Sequence, residues 1–125
     1  MADEPTGRVT AVMADTDDLD GAVSFWTTIL GLQVAYRDET YAYLGALSED
    51  GPHLAFQRVP EPKQGKNRLH LDVRVPDRRA FAGWVVELGG RVITEHDPPG
   101  WPAWVVMADP QGNEFCIYEK PEDAA

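Results

Sequence analysis

The chain has 125 residues, 43% of them apolar, with one cysteine and 11 Lys+Arg against 21 Asp+Glu, a formal net charge of −10. A single domain of this length buries about two-thirds of its unfolded surface and needs no disulfide or metal staple. The lone Cys116 excludes an internal disulfide and a Cys-rich zinc module, and the acidity argues against nucleic acid and anionic membrane surfaces as partners.

The first β-rich run is Arg8–Ala14, followed by an acidic helix entry in which Asp17 or Asp18 serves as the N-cap. Ala22, Phe25, Trp26, Ile29 and Leu30 then recur at helical spacing, predicting a helix over Leu19–Leu30 that Gly31 stops. Three strands follow, Gln33–Arg37, Thr40–Leu47 and His53–Val59, the last two joined by a turn at Glu49-Asp50-Gly51. Residues 60–68 form a polar, Pro-rich linker whose Lys63, Lys66 and Arg68 read as a solvated basic cluster. Beyond it the order repeats. A run over Leu69–Val75 leads to Asp77 as N-cap and a helix over Arg78–Leu88, closed by Gly89-Gly90. Strands are expected at Arg91–Glu95, Ala103–Ala108 and Glu114–Glu119, the last two joined by Asp109-Pro110-Gln111-Gly112. Trp26 and Trp84, both at helical spacing, are expected to anchor the core, and His96 to lie in an exposed loop.

The two halves, 8–59 and 69–119, align as copies of one βαβββ module. At a constant offset Trp26 falls on Trp84, Leu30 on Leu88, Gly31 on Gly89 and Val34 on Val92. At a slightly longer offset Gly51–Gln57 falls on Gly112–Tyr118. Phe25-Trp26 before Leu30-Gly31-Leu32, then His70-Leu71-Asp72-Val73, Leu88-Gly89-Gly90 and Asp109-Pro110-Gln111-Gly112-Asn113, give the chain its resemblance to the vicinal oxygen chelate superfamily. That superfamily includes glyoxalases, bleomycin- and fosfomycin-resistance proteins and extradiol dioxygenases. The segments Phe56–Lys63, Lys66–His70 and Gly112–Cys116 look more narrowly like a glyoxalase-like branch common in actinobacteria. The resemblance implies an α+β fold in which two modules form curved sheets around a shared cup, one domain spanning 1–125, and a homodimer.

Strand alternation sorts side chains without any family knowledge. Leu54, Phe56, Leu71, Val73, Phe115 and Ile117 should face the helices, leaving His53, Ala55 and Gln57, then His70, Asp72 and Arg74, then Glu114, Cys116 and Tyr118 on the opposite face. Tyr41, Tyr43, Trp101 and Trp104 are placed to wall a cleft beside them. In the superfamily, metal ligands sit at the start of the first strand and within the last strand of each module. The matching residues in the second half are His70 and Cys116, but in the first they are Ala11 or Val12, and Ala55, which cannot ligate. The family-type metal site is therefore expected to be lost, and a divalent metal, if bound, would use His70, Glu114 and Cys116.

The chain carries no Gly-rich phosphate loop, HExxH or GxSxG motif. No apolar stretch approaches the roughly 20 residues of a membrane span. The first ten residues lack a signal-peptide pattern, which makes the cytoplasm the expected location. The favoured expectation is a small-molecule-binding protein that takes a metabolite or aromatic antibiotic, with His53, Gln57, Tyr41, Tyr43, Trp101, Trp104, Cys116 and Tyr118 as contacts. Two alternatives stand beside it. One is a lyase/isomerase or dioxygenase with His70 and Glu114 as catalytic groups, and the other a non-catalytic interaction module.

Overall fold

The structure, a computed structural model, describes residues 8–67 and 69–119. Arg68 of the expected basic cluster lies outside the described residues, as do residues 1–7. The chain divides into two compact units, with the boundary in the sequence between Pro60 and Glu61.

The first unit holds β1 (Ala11–Thr16), α1 (Leu19–Leu30), β2 (Val34–Arg37), β3 (Tyr41–Ala46) and β4 (His53–Arg58), with sheet order β1-β4-β3-β2. The second repeats it as β5 (Leu71–Arg74), α2 (Arg78–Glu87), β6 (Arg91–His96), β7 (Trp104–Ala108) and β8 (Glu114–Tyr118), in the order β5-β8-β7-β6. In each sheet the first and last strands pair in parallel and the other two pairings are antiparallel. This is the α+β, twice-βαβββ architecture expected from the sequence.

Of the two candidate caps for α1, Asp18 does the capping: its carboxylate accepts from the Gly21 amide at 2.9 Å. Gly31, at φ 65°, closes the helix in the left-handed conformation that a Cβ would strain. The buried stripe of α1 includes Leu19, Phe25, Trp26 and Ile29, with Phe25 and Trp26 in edge-to-face contact at 5.3 Å. In α2 the Asp77 carboxylate accepts from the Arg79 and Ala80 amides, both at 3.1 Å. Glu119, just past β8, accepts from the Arg78 backbone amide and guanidinium at 2.8 and 2.9 Å, fixing the start of α2 against the end of that strand.

Three expectations need correction. Trp84 does not anchor the core: it is 39% exposed and packs edge-to-face on Phe81, while Ala82 and Val85 face inward. Helical spacing could not tell them apart, because Phe81, Ala82, Trp84, Val85 and Val86 of this short helix fit more than one stripe. The opening strands also begin later than expected, at Ala11 and Leu71: β1 pairs with β4 from Ala11↔His53, and β5 pairs with β8 from Leu71↔Phe115 to Arg74↔Tyr118, leaving His70 just outside the ladder. His96 is strand rather than loop, paired with Trp104 at the end of β6.

Each unit carries a β-bulge at the same place. The register shifts between Val34 and Tyr36 in β2, and between Val92 and Thr94 in β6. An extra residue in one strand moves everything beyond it to the opposite face. Tyr36 thus joins Tyr43 on the face away from α1, in edge-to-face contact at 6.4 Å, and Thr94 and His96 join Val106 and Trp104 on the face away from α2.

Candidate functional site

Burial alternates along β8 as the sequence requires. Phe115 and Ile117 are buried with Val105 and Met107 of β7 on the helix side, and Glu114, Cys116 and Tyr118 are half-buried on the other. Directly paired residues of neighbouring strands project from the same face. The second sheet therefore presents one cross-strand row of His96, Trp104, Tyr118 and Arg74, and beside it a second row of Thr94, Val106, Cys116 and Asp72. The His96 and Trp104 rings stack with centroids 4.6 Å apart and planes 21° apart.

At the β5 end of the second row, Asp72 and Cys116 form a cluster with His70. One ligating atom from each lies within 4.8 Å of the others. His70 Nδ1 is 3.4 Å from Asp72 Oδ1. Burial holds the Cys116 thiol in its neutral form to higher pH than usual, and the nearby Asp72 and Glu114 charges act in the same direction. Glu114 is engaged elsewhere: it accepts from Lys66 Nζ at 2.6 Å, and this bond holds its carboxyl below the ordinary glutamate range. The turn before β8 is tied by Asp109, fully buried, whose carboxylate accepts from the backbone amides of Gln111 at 3.0 Å and Asn113 at 2.7 Å, and from Asn113 Nδ2 at 3.1 Å.

The sequence placed His70, Glu114, Cys116 and Tyr118 on one face of the second half, and the structure agrees. Asp72 was assigned to that face but not to the site, although it lies between His70 and Cys116 in space. The alternation His70-Leu71-Asp72 puts Asp72 on that face, but only the parallel register of β5 on β8 sets it opposite Cys116. Trp104 joins the row through the β7 register, whereas Trp101 precedes the strand and is 70% exposed.

In the first unit His53, Gln57, Tyr41 and Tyr43 share the face away from α1, Tyr41 opposite Gln57 and Tyr43 opposite Ala55. His53 is oriented by its backbone neighbour, Nδ1 standing 2.6 Å from the Leu44 carbonyl oxygen. Ala55, flanked in register by Met13 and Tyr43, is fully buried and not open on that face. Because Met13 pairs with Ala55 as Asp72 pairs with Cys116, the first-unit counterpart of His70 is Ala11. Ala11 and Ala55 offer no donor, so the first-unit residues do not fit a metal, whereas the second-unit donors do. An open groove of ≈ 610 Å³ at the start of α1 is lined by residues including Asp18, Asp20, Arg37 and Asp38. These groups are already committed: Asp18 caps α1, Asp20 pairs with Arg37, and Asp38 accepts from the Thr40 and Tyr41 amides and from the Tyr36 hydroxyl.

Solved structures with this fold are numerous. A glyoxalase/bleomycin resistance protein/dioxygenase family enzyme from Burkholderia phytofirmans PsJN superposes with a TM-score of 0.74 at 16% identity, covering 90% of this chain and 98% of its own. A glyoxalase-related enzyme from Fulvimarina pelagi gives 0.74 at 18% identity, covering 93% and 90%. Lactoylglutathione lyase from Agrobacterium tumefaciens gives 0.65 at 18% identity, covering 92% and 95%. No curated protein matches the chain. A family profile described as a glyoxalase-like domain matches residues 11–118. With nearly the whole described chain inside that match, and the twice-repeated βαβββ order beneath it, the chain belongs to the glyoxalase-like domain family, within the vicinal oxygen chelate superfamily.

Proposed function

We propose that the chain binds a small, partly aromatic metabolite or antibiotic on the open face of its second sheet. The observation that carries this reading is the row His96–Trp104–Tyr118–Arg74, one side chain from each of the four strands. A bulge is spent to bring His96 onto Trp104. Three rings in line offer stacking surface, and the guanidinium at the end suits a carboxylate or other anionic group. On this reading the preferred ligand is a planar molecule with one anionic substituent. His53, Gln57, Tyr41 and Tyr43 form the corresponding face of the first unit, Tyr41 standing where Trp104 stands in the second.

Thermal-shift screening against aromatic carboxylic acids and aromatic antibiotics, bleomycin included, tests the reading. A ligand at 100 times its Kd stabilises the fold by about 2.7 kcal/mol, a rise in Tm of about 8–12 °C for a domain of this size. The hit should be recovered unchanged by mass spectrometry, and Trp104→Ala should abolish the shift. A library without any stabilising compound overturns the proposal.

A second reading, an enzyme of the lyase/isomerase or dioxygenase type, is favoured by the convergence of His70, Asp72 and Cys116 beside that platform. Glu114, ionised by its Lys66 partner, would serve as a base rather than an acid at neutral pH. Consumption of a stabilising ligand, lost in His70→Gln, would select this reading over sequestration.

A further inference from the structure

We infer that the open face of the first unit is a binding site for a linear diammonium ion, an α,ω-diamine or polyamine, held between Asp15 and Asp38. The observation is a reversal of charge between equivalent rows of the two units. In the second unit the row runs Arg74–Tyr118–Trp104–His96, with a cationic or basic side chain at each end. The register gives its first-unit counterpart as Asp15–Gln57–Tyr41–Asp38, with a carboxylate at each end. Asp15 is the partner of Gln57 as Arg74 is of Tyr118, and Tyr41 is the partner of Gln57 as Trp104 is of Tyr118. Asp38 follows the last residue of β2, and its amide donates to the Tyr41 carbonyl at 2.9 Å, which sets it opposite Tyr41 as His96 is opposite Trp104.

Charge and available groups favour this occupant. Asp15 is exposed, and among the described residues its carboxylate, the Gln57 amide and the Tyr41 hydroxyl make no side-chain hydrogen bond or ion pair. Asp38 accepts the Tyr36 hydroxyl at 2.7 Å and the amides of Tyr41 and Thr40, bonds that hold its carboxyl below the usual aspartate range and keep it ionised. Its Oδ2 retains a lone pair for an ammonium. Beside this end Tyr36 and Tyr43 meet edge to face, and the exposed Tyr36 presents aromatic surface to the same cation. Among the described residues of the four strands no Lys or Arg shares the face: Arg58 and Arg37 alternate onto the helix side, and Arg37 is paired with Asp20. The net charge of −10 adds a general attraction for cations. Neighbouring strands stand about 4.8 Å apart, so the ends of a four-strand row are about 14 Å apart. An extended diamine of about eight to ten carbons spans about 11–14 Å, which leaves each ammonium at its carboxylate. Gln57 and Tyr41 stand between the ends, suited to a middle N–H of a polyamine. The row shares no residue with that of the second unit, so this inference and the proposed function fail separately.

The test is NMR shift titration of the labelled full chain with diaminopropane, diaminooctane and octylamine at physiological ionic strength, where long-range attraction between exposed charges is screened. Diaminooctane should give saturable shifts at Asp15, Gln57, Tyr41 and Asp38. It should bind about fivefold more tightly than octylamine, which has one ammonium, or diaminopropane, which reaches one end only; that is the upper value of a single exposed ion pair. Asp15→Asn should bring diaminooctane down to the affinity of octylamine, and Tyr36→Leu should weaken both by about threefold. Asp17→Asn removes the same charge two residues along, outside the row, and should leave every affinity within about twofold of the parent. Circular dichroism checks that each variant is folded, and the exposed Asp15 is the position least able to perturb the core. Equal affinity of the parent for diaminooctane and octylamine overturns the inference. So does an equal loss in Asp17→Asn and Asp15→Asn, which would mark attraction to the net charge alone. Saturable shifts that leave the row unmoved, or no saturable shifts, overturn it as well.

Discussion

Replacing Asp109 with alanine should be among the most damaging single changes on the polar side of the second unit, although Asp109 touches no proposed ligand. Its carboxylate is wholly buried and accepts three hydrogen bonds, two from the backbone amides of Gln111 and Asn113. It does so inside a turn whose own bonds run from the Asp109 amide to the Asn113 carbonyl at 2.8 Å and from the Gly112 amide to the Asp109 carbonyl at 2.9 Å. A bond to a carboxylate is worth about 1.5–3 kcal/mol net. Gln111 and Asn113 are half-exposed, so water restores part of the loss, and about 3 kcal/mol remains for Asp109→Ala. For a chain of this length that is a fall in Tm of about 10–15 °C. Asp109→Asn keeps an oxygen for the two amides but turns an NH₂ group toward Asn113 Nδ2, and should cost about half as much. Differential scanning calorimetry measures both. An alanine variant within about 3 °C of the parent would refute the assignment of the turn's stability to this carboxylate.

Gly90→Ala should cost about 2–3 kcal/mol in urea unfolding, because the new Cβ would stand 2.6 Å from the Ala108 carbonyl oxygen and 2.6 Å from Val85 Cγ1. Gly31→Ala, at φ 65° with open space around it, should cost only the left-handed strain of about 1–2 kcal/mol; the reverse order would count against the packing described. Trp26→Ala, removing a ring that is 4% exposed, should cost about 3–5 kcal/mol by the same assay, and the half-open Trp84→Ala less than half of that. Because the Lys66 bond lowers the Glu114 pKa in the folded state, its contribution is present above the ordinary glutamate range and is lost as pH falls below it. In Lys66→Met the Glu114 carboxyl, followed by NMR, should titrate at higher pH than in the parent; an unchanged midpoint would show that Lys66 is not the cause.

The element order was legible because each signal was local. Asp18 and Asp77 cap, Gly31 stops a helix, and alternation along Glu114–Tyr118 assigns the faces. What was not legible depended on pairing. The bulges in β2 and β6 leave no residue-type signature here, yet they decide that Tyr36 and His96 face away from the helices. The strand start at Ala11 coincides with the start of β4 at His53, and the β5 ladder opens at Leu71 opposite Phe115, neither being marked by the residues upstream. Asp72 belongs with His70 and Cys116 because of a parallel register that no single-strand pattern contains, and Glu114 was taken up by a lysine 48 positions earlier in the chain. Trp84 was misplaced because a ten-residue helix with few buried positions does not define its inward face by spacing alone.

The central claim is that the open face of the second sheet is a ligand platform. Its most direct measurement is amide and side-chain chemical-shift mapping of the labelled protein, titrated with the best aromatic carboxylate from the thermal screen. The account predicts saturable shifts centred on His96, Trp104, Tyr118 and Arg74, with intermolecular contacts from the ligand ring to the Trp104 indole. Saturable shifts confined to α1, α2 or the groove at Arg37 and Asp38, with that row unmoved, would contradict it.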